Sequence, residues 1–144
     1  HNVRKVASFA DVLIGAIHVP GAKSPIVVPR EVVQTMKPRS IIMDVAIDQG
    51  GCVETSRLTT HRNPTFVEEN VIHYCVPNLT SVVARSATYT LRNAAWPFIS
   101  AVADLGLDAA LEQLPSIKHG IATHDGKVVN PVLAAHMGVQ EVSL

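Results

Sequence analysis

At Asp48-Gln49-Gly50-Gly51 a carboxylate follows an apolar run and is followed by two glycines. The pattern places a charge at the end of a buried strand, on a turn where the backbone can approach a ligand closely. Such a carboxylate can favour a cation or hold a water. It can equally make an Asx-turn with its own backbone, and the residues alone leave both readings open. Asp44 lies inside the same run, where a hydrogen-bonded structural role is expected. Val19-Pro20-Gly21-Ala22-Lys23 can present Lys23 to a phosphate, although a solvated loop lysine is the commoner fate. Cys52, His61, His73 and Cys75 have the donors of a zinc site, but their spacings match no usual ligand pattern. Cys52 with His61 also lacks the third member and oxyanion motif of a thiol nucleophile. His73 and Cys75 alternate onto one face of a strand, which points to packing, and Trp96, Phe98 and Met137 are expected in the core. A phosphate loop of the G-x-G-x-x-G type does not occur in the sequence.

The elements that must position these groups follow from periodicity. Residues 12–17 form an apolar run ending at Val19-Pro20-Gly21, and residues 41–47 form another ending at Gly50-Gly51; both read as buried strands. Between them Pro29 opens a short helix through Met36 that Pro38 terminates. A third strand is expected over 71–76, stopping at Pro77-Asn78, and the polar stretch 52–70 with Pro64 reads as a structured loop. The strand ends fall near 18, 47 and 77, a recurrence of about thirty residues that suits successive parallel strands of an α/β sheet. Ligands bind outside the carboxyl ends of such strands, so residues 17–21, 45–51 and 76–79 are the ones to watch.

From about Thr80 the pattern changes. Leu91, Ala94, Ala95, Phe98, Ala101, Val102 and Leu105 recur at helical spacing and predict a long amphipathic helix over 83–105, kinked at Pro97 and closed by Gly106. Its apolar stripe is expected to lie uncovered within this chain. Asp108 is expected to cap a short helix, His124-Asp125-Gly126 to turn a hairpin, and Asn130 with Pro131 to start a last helix ended by Gly138.

The chain has 144 residues, 47% hydrophobic and 17% charged, with twelve Lys+Arg against twelve Asp+Glu. That composition excludes disorder, and without a basic tract it offers little of the charge that nucleic acid or an anionic membrane requires. The apolar runs are far shorter than a membrane span. A small ligand or a protein partner is expected. Two cysteines without C-x-x-C spacing suggest reduced thiols and a cytoplasmic setting. The first residue is His1, and Val3-Arg4-Lys5-Val6-Ala7 reads like the tail of a helix, so the sequence is expected to be cut from a longer one.

Gly15-Ala-Ile-His-Val-Pro-Gly-Ala-Lys23, Met36-Lys-Pro38, Asp44-Val-Ala-Ile-Asp-Gln-Gly-Gly-Cys52 and His73-Tyr-Cys-Val76 resemble the carboxyl-terminal part of the L-alanine dehydrogenase family. The likeness continues through Arg57 to Thr60, Ala84 to Asn93 and Gly126-Lys127-Val128. The related transhydrogenase α subunit shares the Pro-Gly and Gly-Gly turns but lacks the Ile-Asp-Gln-Gly-Gly-Cys form, and is the runner-up.

The resemblance implies that residues 1–79 are the second half of a Rossmann-type NAD domain. Residues 80–144 would be the linking helix and returning segment of a substrate domain. It implies NAD as cofactor and a homo-oligomer, typically a hexamer. The implied reaction is the reversible oxidative deamination of L-alanine to pyruvate and ammonium. The family's phosphate-binding glycines and its substrate-holding lysine and histidine would all precede His1. By motif, Asp48 matches the active-site aspartate beside the nicotinamide ribose and the reacting carbon. Ile17 and His18 match a pair that contacts cofactor, Val45, Ala46 and Ile47 the segment leading to the aspartate, and Val76, Pro77, Asn78 and Leu79 a segment near the nicotinamide. This sequence departs from the family at Pro77 for alanine, Leu79 for methionine and His18 for an apolar residue. A third possibility is a truncated module that binds or assembles without catalysing.

Overall fold

Four short strands, β1 (Val12–Gly15), β2 (Ile41–Asp44), β3 (Thr65–Glu68) and β4 (Val71–Tyr74), form one sheet in the order β1-β2-β4-β3. This is a computed structural model, and it describes residues 2–143. Strands β1, β2 and β4 run parallel, with Val12 opposite Ile41 and Ile41 opposite Ile72, whereas β3 is antiparallel to β4. The parallel α/β arrangement expected from the thirty-residue recurrence is therefore present. The chain divides into two units between Leu79 and Thr80.

The strands are shorter than the apolar runs. β1 stops at Gly15 and β2 at Asp44, where the backbone (φ −93°, ψ 90°) turns into a 3-10 turn over Val45–Gln49. Gly50, at φ 99°, closes that turn by donating to the Ile47 carbonyl at 3.1 Å. Asp48 thus sits on a 3-10 turn, not at the end of a strand that reaches residue 47. The buried side of the sheet carries Ile42, Asp44, Val71 and His73, and the opposite side leaves Val12, Ile14 and Ile41 exposed. The expectation that β1 and β2 are buried strands therefore holds for one face only, because the face carrying Val12, Ile14 and Ile41 is left open among the described residues.

Strand β3 occupies part of the stretch expected to be loop. Its two-residue connection to β4 holds both Glu69 (φ 51°) and Asn70 (φ 62°) in the left-handed region, as a tight hairpin requires. Arg30 braces it, donating to Glu68 at 2.9 Å and also to Glu69. Helix α1 (Asn2–Ala7) and helix α2 (Arg30–Val33) complete this unit. After Val33 the chain continues in single turns, Thr35 N–H to Val32 O and Met36 N–H to Val33 O, each at 3.0 Å. The core joins Ala7, Val28, Val32, Val33, Met36, Ile42, Ala46, Cys52, Val53 and Val71.

The second unit holds α3 (Ala84–Leu105), α4 (Leu107–Gln113), a hairpin of β5 (Thr123–His124) and β6 (Lys127–Val128), and α5 (Pro131–Met137). Pro97 lies inside α3 without ending it, and Gly106 caps it by donating to Val102 O at 3.0 Å. Gly106 is also the N-cap position of α4. Asp108 falls within the first turn instead of capping it, because α4 begins two residues earlier than a helix capped by Asp108 would. Asp125 (φ 47°) and Gly126 (φ 72°) turn the hairpin, and Asn130 accepts the Leu133 N–H at 3.0 Å to cap α5. Trp96, Phe98 and Met137, expected in the core, are exposed, Trp96 at 55%. Among the described residues of α3 none is buried, and the seven-residue α4 is too short to cover a 22-residue helix.

Candidate active site

Parallel strands deliver their carboxyl ends to one edge, so the segments that leave β1, β2 and β4 gather there. The first carries Ala16, Ile17 and His18, the second the 3-10 turn of Val45–Gln49, and the third Pro77, Asn78 and Leu79. Between the first two lies a cleft of about 220 Å³ lined by Ala16, Ile17, His18, Val45, Ala46, Asp48 and Gln49. Its walls are aliphatic, and its polar groups are one carboxylate, one amide and one imidazole.

Asp48 is exposed at this cleft. Both of its oxygens accept the Asn78 N–H, each at 3.1 Å, across thirty residues of sequence. The carboxylate therefore joins the ends of β2 and β4, a role that reaches beyond a local Asx-turn. Asn78 makes the bond from a left-handed conformation, φ 52°. Beside it, His18 Nδ1 lies 2.8 Å from Gln49 Nε2 and 3.2 Å from Gln49 Oε1, tying the first wall to the second. Gln49 is further held by the Ser24 N–H, which donates to its carbonyl at 2.9 Å. The Lys23 side chain lies along Gly50, where an added Cβ would come within 2.5 Å of Lys23 Cε.

Behind the cleft, Asp44 works as a staple. Its Oδ2 accepts the N–H groups of Cys52 at 3.0 Å and Val53 at 3.1 Å, and Cys52 Sγ lies 3.6 Å from its Oδ1. This fixes the chain that follows Gly51, whose φ of 79° and whose approach to Asp44 (an added Cβ would sit 2.9 Å from Oδ2) exclude a side chain. Gly15 is equally tight, because a Cβ there would meet Cys52 Sγ at 2.4 Å. Burial, reinforced by the Asp44 charge, pushes the Cys52 thiol up, and burial does the same to Cys75. Both stay protonated, which is the opposite of what a nucleophile needs. His73 is fully buried, its Nδ1 3.0 Å from the Val71 carbonyl and its Nε2 2.7 Å from the Thr55 hydroxyl. Burial lowers its basicity, so the neutral ring donates at Nδ1 and accepts at Nε2. Among the described residues, no group of three or more His, Cys, Asp or Glu is gathered as a metal ion would require.

Of the residues singled out in the sequence, Ile17, His18, Val45, Ala46 and Asp48 share the cleft. Val76 and Leu79 line a second, narrow crease with Val45, Met43, Asp44 and Tyr74. Ile47 is buried and does not line the cleft, Pro77 is half-buried, and Asn78 reaches the site through its backbone. Gln49 falls within the segment 45–51 singled out in the sequence, though it was not named as a contact; Ala16 lies outside those segments and carried no signal.

Three comparisons bear on this geometry. Residues 1–131 match the family model described as alanine dehydrogenase/PNT, C-terminal domain. An alanine dehydrogenase of Halomonas elongata is 46% identical over 133 residues, covering 92% of this chain and 36% of that protein. One of Mycobacterium tuberculosis is 43% identical over 130 residues, covering 90% and 35%. A solved L-alanine dehydrogenase superposes with a TM-score of 0.79 at 39% identity, over 95% of this chain and 38% of the other. A transhydrogenase of Sinorhizobium meliloti, at 24% identity and a TM-score of 0.64 over 90% of this chain and 35% of the other, shares the fold. The chain spans a little over a third of the length of the curated relatives it matches. Among the described residues no helix is long and apolar enough to cross a membrane.

Proposed function

The chain belongs to the alanine dehydrogenase/PNT C-terminal-domain family, and we propose that it is the part of an NAD-dependent L-alanine dehydrogenase that holds the nicotinamide end of the cofactor and the aspartate beside the reacting carbon. The observation that carries this reading is Asp48, exposed at a cleft on the carboxyl edge of a parallel sheet and fixed there by Asn78. The cleft, about 220 Å³, is smaller than the roughly 300–1,000 Å³ of a whole ligand pocket. It suits one flat end of a dinucleotide, with Ile17, Val45 and Ala46 as apolar walls. The phosphates and the substrate carboxylate would be held by residues outside these 144. We place residues 1–79 in the NAD domain and residues 80–144 in the linking helix and substrate domain of a cytoplasmic homo-oligomer, up to a hexamer.

When bound, NAD supplies the hydride acceptor for the alanine Cα. The chain's own contribution is charge and position. An anionic Asp48 at the cleft favours the ammonium of the substrate and the iminium that replaces it, and it can orient the water that converts the iminium to pyruvate and ammonium. The aliphatic walls exclude other water from the face where transfer occurs.

Asp48→Asn in the longer protein tests this. It keeps the size and one acceptor oxygen for the Asn78 N–H but removes the charge, so alanine-dependent NADH formation should fall on the order of a hundredfold or more while NADH affinity changes little. Turnover equal to the parent would remove Asp48 from the catalytic list, and weaker NADH binding at unchanged turnover would make it a cofactor ligand only.

A further inference from the structure

We infer that Asn78 is a positioning residue for Asp48, acting through its backbone N–H from a left-handed turn that Pro77 stiffens. This rests on the reading of Asp48 as the group beside the reacting carbon. An exposed aspartate has two rotatable side-chain bonds and would otherwise sample several rotamers. A single N–H shared by both oxygens at 3.1 Å fixes the plane of the carboxylate as well as its place. Each oxygen retains lone-pair capacity for a cation or a water on its free side.

The turn that aims this N–H is constrained from both ends. Val76 is buried, and Leu79 lines the crease with Val45, so the chain must enter and leave Asn78 along fixed paths. Between those paths Asn78 adopts φ 52°, a conformation that asparagine and glycine accept and β-branched residues resist. A residue that rejects it must swing the peptide between residues 77 and 78, which turns the N–H off Asp48. Pro77 fixes its own φ and so removes one of the torsions by which that peptide could drift. Variants at residue 78 separate the contribution of the backbone N–H from that of the side chain.

In the longer protein, Asn78→Val should lower turnover on the order of a hundredfold, the scale of a roughly 1 Å misplacement. Asn78→Gly, which keeps the N–H and accepts the left-handed turn, should lose at least about tenfold less. NADH affinity, followed by fluorescence, should separate the two variants by no more than about threefold. Independently of activity, hydrogen exchange at the residue 78 amide should quicken roughly tenfold in Asp48→Ala and in no comparable way in Asp48→Asn. Asn78→Gly as damaging as Asn78→Val would assign the effect to the side chain and overturn the proposal, as would a fully active Asn78→Val or an amide indifferent to Asp48→Ala. A parent protein that fails to oxidise alanine, or an innocuous Asp48→Asn, would overturn the active-site reading itself and the positioning role with it; failure at residue 78 alone leaves that reading standing.

Discussion

Ile42 in the sheet and Leu91 on the long helix are both aliphatic residues at apolar positions of regular elements, yet Ile42 is fully buried and Leu91 is 71% exposed. The contrast runs through the two units. In the first, apolar side chains from α1, α2, β2, β4 and the 50–53 turn converge on one core, and Asp44 and His73 inside it have hydrogen-bond partners. In the second, α3 runs 22 residues with no buried member, while smaller elements are held by local devices: a Gly106 cap, an Asp125-Gly126 turn, an Asn130 cap. An apolar stripe states that a face wants cover. It does not state that the same 144 residues supply it. The candidate site belongs to the first unit for a physical reason, since a cleft keeps its shape only where the backbone behind it is braced.

The largest effect that sharpens this comparison is at Ile42. Ile42→Ala leaves a cavity between β2 and the elements packed on it, and should cost about 2–5 kcal/mol in denaturant-induced unfolding. A cost below roughly 0.5 kcal/mol, the level of an ordinary surface change, would mean that the first unit is no better packed than the second and would break the contrast.

A smaller and pH-dependent effect comes from His73. Burial lowers its basicity against the opposing pull of the Val71 carbonyl, Glu68 and Asp44. The unfolded chain, with an imidazole near 6.5, therefore binds a proton at a higher pH than the folded chain does. Stability at this residue is full above that value and is lost progressively as the pH falls below it. The urea midpoint should drop between about pH 7 and pH 5, and His73→Gln should flatten that part of the profile. A profile unchanged by His73→Gln would show that the imidazole is not neutral and enclosed as its bonds to Val71 and Thr55 require.

The sheet was legible in the sequence because its signals are local and redundant: three β-branched runs, each stopped by Gly or Pro, at a spacing that leaves room for a crossover. Asn130-Pro131 and Asp125-Gly126 were legible because single residues with unusual backbone needs announce caps and turns. Strand β3 was hidden because its hairpin turn uses Glu69, a residue that rarely adopts a positive φ and does so beside the brace of Arg30, which lies 39 residues away in sequence. The end of β2 was hidden because Val45-Ala46-Ile47 continues the apolar run without a breaker, although Asp44 has already bent the chain to meet Cys52 and Val53. Around the site, Asp48 announced itself by chemistry. The Asn78 N–H could not, since a backbone donor has no residue type to read.

The smallest expected effect tests the other half of the comparison. Leu91 lies on the apolar stripe of α3 with most of its side chain in solvent, so Leu91→Ala removes few contacts within this chain. Alanine also has the higher helix propensity, which offsets what little packing is lost. In the 144-residue chain the change should therefore stay within about 0.5 kcal/mol by thermal or urea unfolding. The same substitution in the longer protein asks a different question. If the stripe is covered there, Leu91→Ala should become a core truncation and cost about 2 kcal/mol or more, with faster hydrogen exchange along α3. A null result in both settings would assign the stripe to no partner and leave the exposure of Trp96 and Phe98 as a property of the helix itself; a large loss already in the short chain would show that α3 is packed within these residues, and the contrast between Ile42 and Leu91 would fall.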